Sequence, residues 1–137
     1  MARETHVLDT SALLALIEDE PGADRVEEVL RHHACLIPWL ALLEVHYVTQ
    51  QQGGIDEAEQ RHALLQSLPA EILWLTDASV MRAASRFKAS YRMSLADAVI
   101  GGFASALGAR LLHKDPEFEA LDGQIEVESL PYKGENR

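Results

Sequence analysis

The sequence predicts a three-layer α/β/α sandwich around a central, mostly parallel sheet of four to five strands, and three observations carry that prediction. Short apolar runs at residues 6–8, 34–37, 72–75 and 110–113 alternate with segments whose apolar residues recur at helical spacing. Strands separated by helical crossovers pair in parallel, and a parallel sheet needs helices on its faces. The chain has 137 residues, the size of one domain, so residues 1–137 are expected to fold as a single unit.

His6, Val7 and Leu8 make the first strand, which stops at Asp9-Thr10-Ser11. Leu13, Leu14 and Ile17 then follow at helical spacing until Pro21-Gly22 interrupts them. Val26, Val29 and Leu30 place a second helix over residues 23–31, and residues 34–37 form a strand stopped by Pro38. Proline suits the first turn of a helix, and residues 39–52 continue with Leu40, Leu43, Glu44, Tyr47 and Val48 on one stripe until Gly53-Gly54. Residues 56–68 read as an amphipathic helix closed by Pro69, and residues 72–75 as the third strand. Asp77 caps a helix whose inner face is Val80, Ala83, Ala84 and Phe87. Residues 94–107 make the last helix, 110–113 the fourth strand and 125–127 a fifth. The polar segment 133–137 is expected to be a flexible tail.

Composition narrows the function classes. Hydrophobic residues at 47% and charged residues at 25% exclude a disordered chain. A membrane span needs about 20 apolar residues. The longest apolar run, residues 34–43, is broken by Pro38, so no transmembrane helix is expected. The first residues lack the form of a secretory signal, which points to the cytoplasm. Cys35, the single cysteine, excludes an internal disulfide and a multi-thiolate zinc site, and its apolar surroundings make it a small core residue. Twelve basic against 22 acidic residues give a net charge of −10. That charge argues against a protein that coats nucleic acid, but not against an enzyme that meets a phosphodiester through metal ions.

In such folds the ligand site lies beyond the carboxyl ends of the strands. Asp9 follows the first strand, Asp97 lies in the first turn of the helix beginning at Ser94, and Asp115 follows the fourth strand. Each also has a structural reading: Asp9 as an N-cap, Ser94 and Asp97 as a capping box, Asp115 as an N-cap followed by Pro116. Glu44 cannot be explained by capping, because it sits mid-helix on a stripe expected to be buried. A carboxylate there must be neutralised, paired or bound to a metal. Four carboxylates converging on one end of a sheet would repel unless hard divalent cations sat among them, and oxygen ligands suit magnesium or manganese.

The segments Val7-Leu8-Asp9-Thr10-Ser11-Ala12-Leu13-Leu14-Ala15-Leu16, Leu43-Glu44-Val45, Ser94-Leu95-Ala96-Asp97-Ala98-Val99-Ile100 and Leu112-His113-Lys114-Asp115-Pro116-Glu117-Phe118 occur in an order and spacing that resembles PIN-domain ribonucleases, most of all VapC-type toxins. The resemblance runs from Val7 to about Leu130. It implies a PIN-like fold and a metal-dependent endoribonuclease, the toxin of a toxin–antitoxin pair, using Mg²⁺ or Mn²⁺. It implies an acidic quartet of Asp9, Glu44, Asp97 and Asp115, with Asp9 and Asp97 as principal metal ligands. It also implies an RNA substrate, a cognate antitoxin and a homodimer. One departure is His113, where the family often has Thr or Ser. This histidine either orders a water, contacts phosphate, or simply ends a strand.

Phosphodiester hydrolysis needs an activated water and positive charge near the phosphoryl group, and metal ions supply both. Thr10 and Ser11, beside Asp9, are placed to hydrogen-bond a ligand carboxylate or water, or to cap the helix. Arg82, Arg86, Lys88 and Arg92 lie in a stretch, residues 78–96, that holds no acidic residue. They are expected either to touch the RNA backbone or to form a solvated helix face. Neither Gly53-Gly54 nor Gly101-Gly102 fits a phosphate-binding loop. Two rival readings are a receiver-like phosphoacceptor signalling domain, suggested by Asp77 and Lys114, and a catalytically inactive PIN-like binding module.

Overall fold

The computed structural model describes residues 4–134. The elements follow the expected alternation: β1 (Thr5–Leu8), α1 (Thr10–Ile17), α2 (Ala23–His32), β2 (Ala34–Pro38), α3 (Trp39–Gly53), α4 (Ile55–Gln66), β3 (Glu71–Leu73), α5 (Ala78–Ser90), α6 (Leu95–Leu107), β4 (Arg110–His113), a 3-10 helix (Pro116–Leu121) and β5 (Val127–Ser129). Of the expected tail, Lys133 and Gly134 form a turn and residues 135–137 lie outside the described residues.

The five strands stand in the order β3-β2-β1-β4-β5 and every neighbouring pair is parallel. The chain leaves β1 toward one edge of the sheet and later returns to add β4 on the other side of β1. The order therefore reverses between β1 and β4, and the crevice at their carboxyl ends is where such sheets bind ligands. Val7 and Leu8 on β1, like Leu111 and Leu112 on β4, are fully buried although successive side chains point to opposite faces. Both faces of the central strands are therefore covered, and Phe87, Ile100, Phe118 and Leu121 belong to the same core.

Gly101 and Gly102 serve packing rather than phosphate binding. A Cβ on Gly102 would lie 2.8 Å from the Val80 carbonyl oxygen, and one on Gly101 2.7 Å from Leu121 Cδ1. Their absent side chains let α6 approach α5 and the 3-10 helix.

Four expectations need correction. The fifth strand begins at Val127, two residues later than expected, because the Ile125 N–H bonds to the Leu121 carbonyl at 3.1 Å and holds Ile125 in the preceding turn. The third strand ends at Leu73, leaving Trp74 and Leu75 as exposed edge residues. The buried face of α3 is Ala41, Leu42, Val45 and Thr49, whereas Leu43 and Tyr47 are exposed. The apolar stripe read from the sequence is thus rotated from the true core face, and Glu44 lies at the margin of the core. Pro38 ends β2 and occupies the N-cap position of α3 rather than its first turn. Among the described residues, no helix is long and apolar enough to cross a membrane.

Candidate active site

The β1 and β4 exits each carry an aspartate. Asp9 is the N-cap of α1, its Oδ1 accepting the Ala12 N–H at 2.8 Å, and it is 1% exposed. The Ser11 hydroxyl lies 2.8 and 2.7 Å from the two Asp9 oxygens. These bonds favour the ionised form, but burial outweighs them and, with a smaller contribution from the Asp115 charge, pushes the Asp9 pKa up to about 7. Ser11 also accepts the Lys114 backbone N–H at 2.7 Å, tying the turn after β1 to the turn after β4.

Asp115 is the N-cap of the 3-10 helix, with Pro116 in the first position and Oδ1 accepting the Glu117 N–H at 2.9 Å. Asp97 enters from α6, where Ser94 is the N-cap and its Oγ accepts the Asp97 N–H at 3.1 Å. Asp97 is buried, and burial first, then the Asp115 charge and a hydrogen bond with Asp115, raise its pKa well above the ordinary carboxylate range. The structure brings Asp97, Asp115 and Glu117 together, with one carboxylate oxygen of each within 4.8 Å of the others. At that separation two unit charges repel by about 3–4 kcal/mol at an effective dielectric of ~20. The group is therefore stable only with protons or a cation among its oxygens. Carboxylate oxygens are hard donors, the kind magnesium and manganese prefer, so the residues present fit such an ion.

The other expected residues divide. Glu44 is half-buried and its Oε1 accepts the Thr10 hydroxyl at 2.6 Å, which joins α3 to the residue next to Asp9. Asp9 and Glu44 both stand outside the tight triangle, although the Asp9 charge contributes to raising Asp97. His113 is buried, and its Nδ1 accepts the Asp115 N–H at 3.2 Å. Burial lowers its pKa, and its ring packs 5.3 Å from that of Phe118. It orients the Asp115 backbone from beneath and has no surface to offer a phosphate. Lys114 does not neutralise the carboxylates: its Nζ pairs with Glu20 at 3.3 Å and donates to the Pro21 carbonyl at 3.0 Å.

Arg82, Arg86, Lys88 and Arg92 are exposed. Lys88 donates to the Met93 carbonyl at 2.8 Å and closes the turn between α5 and α6, and the Arg86 guanidinium lies 5.0 Å above the Phe87 ring. Arg82, Arg86 and Arg92 make no ion pair among the described residues. Glu117 was not singled out from the sequence. Its signal is a second acidic residue in the turn begun by Asp115, but its proximity to Asp97 arises only from the packing of the 3-10 helix against α6.

A PIN domain family model matches residues 6–124. The chain is 30% identical over 132 residues to the VapC ribonuclease Mb0640 of Mycobacterium bovis, covering 91% of this chain and 99% of that protein. Ribonuclease VapC30 of Mycobacterium tuberculosis matches with the same identity and coverage. Among solved structures, VapBC2 from Rickettsia felis, bound to a DNA fragment from its promoter, superposes with a TM-score of 0.76 at 16% identity, over 92% of this chain and 98% of that one. At that identity the likeness is one of fold.

Proposed function

The chain belongs to the PIN-domain family, and on that premise we propose that it is a metal-dependent endoribonuclease, the toxin of a toxin–antitoxin pair. The observation that carries this reading is the convergence of Asp9, Asp97, Asp115 and Glu117 on the crevice where the strand order reverses. The relatives' names supply the chemical class: two of them are ribonucleases.

Asp9 and Asp97 are the principal holders of a magnesium or manganese ion, with Glu44 and Asp115 completing the site directly or through water. A bound ion of this kind supplies an acidified water and positive charge at the phosphoryl oxygens. The protein's residues fix the geometry. Ser11 and the Ala12 N–H hold the Asp9 carboxylate, Ser94 fixes the first turn that carries Asp97, and His113 fixes the Asp115 backbone. Thr10 orients Glu44 toward the Asp9 side of the crevice. Arg82, Arg86 and Arg92 bind the RNA phosphate backbone, while Lys88 serves chiefly to close its turn.

The protein acts in the cytoplasm as a single domain, as a homodimer, and is held by a cognate antitoxin. VapBC complexes among its structural neighbours support an antitoxin partner. A receiver-like phosphoacceptor is not favoured, because the Asp77 side chain caps α5 through the Val80 N–H and Lys114 points to Glu20. An inactive binding module is not favoured either, because the acidic residues remain in place around the crevice.

The test is a calorimetric manganese titration of the wild type beside Asp97→Asn and Glu44→Gln, followed by cleavage of total RNA with and without manganese. Binding by the wild type that both variants weaken, together with manganese-dependent cleavage, is the expected result. Absence of wild-type binding and cleavage would refute the reading.

A further inference from the structure

We propose that Glu117 is a positioning residue that keeps Asp97 available to a metal ion by accepting the Ser94 backbone N–H in its place. The inference rests on the metal-site reading above.

Ser94 and Asp97 have the spacing of a capping box, in which the N-cap hydroxyl takes the third residue's N–H and the third residue's carboxylate returns to the N-cap's own N–H. Half of that exchange is present: Ser94 Oγ accepts from the Asp97 N–H at 3.1 Å. The returning half is not made by Asp97. The Ser94 N–H donates to Glu117 Oε1, from the first turn of the 3-10 helix, 23 positions later in the chain. The Asp97 carboxylate stands instead in the cluster with Asp115 and Glu117, one oxygen of each within 4.8 Å of the others.

Glu117 is well placed to hold this post. Its own N–H is fixed by Asp115 Oδ1 at 2.9 Å, and its neighbour Phe118 is fully buried, anchoring the 3-10 helix to the core. A relay of three bonds therefore runs from Asp115 through Glu117 and Ser94 to Asp97. Without the Glu117 carboxylate, the exposed Ser94 N–H is left to water or to Asp97, the nearest carboxylate in sequence and the one with the capping-box spacing to take it. A capping box completed that way draws Asp97 from Asp115 and dismantles the ligand pair.

The experiment compares Glu117→Ala and Glu117→Gln with the wild type in two measurements. Manganese affinity is read by calorimetry, and the Ser94 amide proton shift by NMR of the metal-free protein. The glutamine keeps an acceptor oxygen without the charge, so manganese affinity within about threefold of wild type is expected. The alanine is expected to weaken manganese binding by about 10–100-fold, the usual loss when a ligand's outer support is removed. In Glu117→Ala the Ser94 proton stays in its hydrogen-bonded, low-field position because Asp97 takes it over, and adding Asp97→Ala moves it upfield. Wild-type manganese affinity in Glu117→Ala would overturn the proposal. So would a glutamine variant as impaired as the alanine, which would make Glu117 a direct ligand. If the wild type itself binds no manganese, the metal-site reading fails first, and the NMR comparison still decides whether Asp97 replaces Glu117.

Discussion

The Ser11 hydroxyl accepts the Lys114 backbone N–H at 2.7 Å across 103 positions of sequence while donating to Asp9. One oxygen thus sets the distance between the turn that carries Asp9 and the turn that carries Asp115. Replacing Ser11 with Ala leaves the Lys114 N–H without its partner and is expected to cost about 1–3 kcal/mol in urea unfolding. The same variant should weaken manganese binding, and an unchanged affinity would show that Asp9 is held well enough by Ala12 alone.

Stability without metal should carry a loss that builds as pH rises from about 4 to about 9, the Asp9 part complete by about 7 and the Asp97 part by about 9. An aspartate whose pKa is raised on folding binds its proton more tightly in the folded state, so its contribution is full below the unfolded value near 3.8 and is lost as pH rises through the folded one. For Asp9 that point is about 7, and the upward shift of Asp97 acts in the same direction. His6 and His113, with lowered pKa values, act oppositely, and their contribution is lost as pH falls below about 6.5. This carboxylate-linked fall, on the order of 1–3 kcal/mol, should vanish in saturating manganese. Thermal melts across pH with and without the ion check this.

Asp97→Asn removes one buried charge and keeps a side chain of nearly the same shape. The metal-free variant should be more stable than wild type at pH 8, by about 1–3 kcal/mol, because the buried Asp97 must otherwise keep a proton far above its ordinary range beside Asp115. Manganese affinity and RNA cleavage should drop by more than about a hundredfold, since losing a ligand exceeds losing its outer support. A variant that is less stable as well as inactive would point to a structural role instead.

Much of this arrangement was visible before the structure, and the limits have physical causes. Asp9, Asp97 and Asp115 could be placed at element ends because capping is local: each accepts or sits beside a bond formed within three residues. Glu44 stood out as a misplaced charge, yet the stripe around it was misjudged, because Leu43 and Tyr47 are apolar residues left on the surface. Glu117 and Lys114 could not be assigned, since the bonds that define them, to Ser94 and to Glu20, span 23 and 94 positions. Local pattern says nothing of such contacts.

Gly102→Ala should destabilise the fold without touching the carboxylates. The new methyl would meet the Val80 carbonyl oxygen at 2.8 Å and the Ala84 nitrogen at 3.0 Å, both backbone atoms, so α5 must move. A loss of about 1–3 kcal/mol in urea unfolding is expected. Full stability would mean that the two helices have more freedom than their contact implies.

Replacing Arg86 and Arg92 together with Ala should weaken RNA binding and reduce the steepness of its salt dependence. Two lost contacts to single-stranded phosphates correspond to a slope smaller by about 1.4. Binding measured at several salt concentrations gives the slope, and an unchanged value would place these arginines away from the RNA.

Because β4 joins the sheet on the far side of β1, the crevice needs both Asp9 and the stretch from Asp115 to Glu117. During synthesis the first aspartate therefore waits for more than a hundred further residues before its partners exist. A growing or truncated chain ending before β4 holds isolated carboxylates and no assembled centre. The strand order thus delays assembly of the centre until β4 and the turn after it have been made.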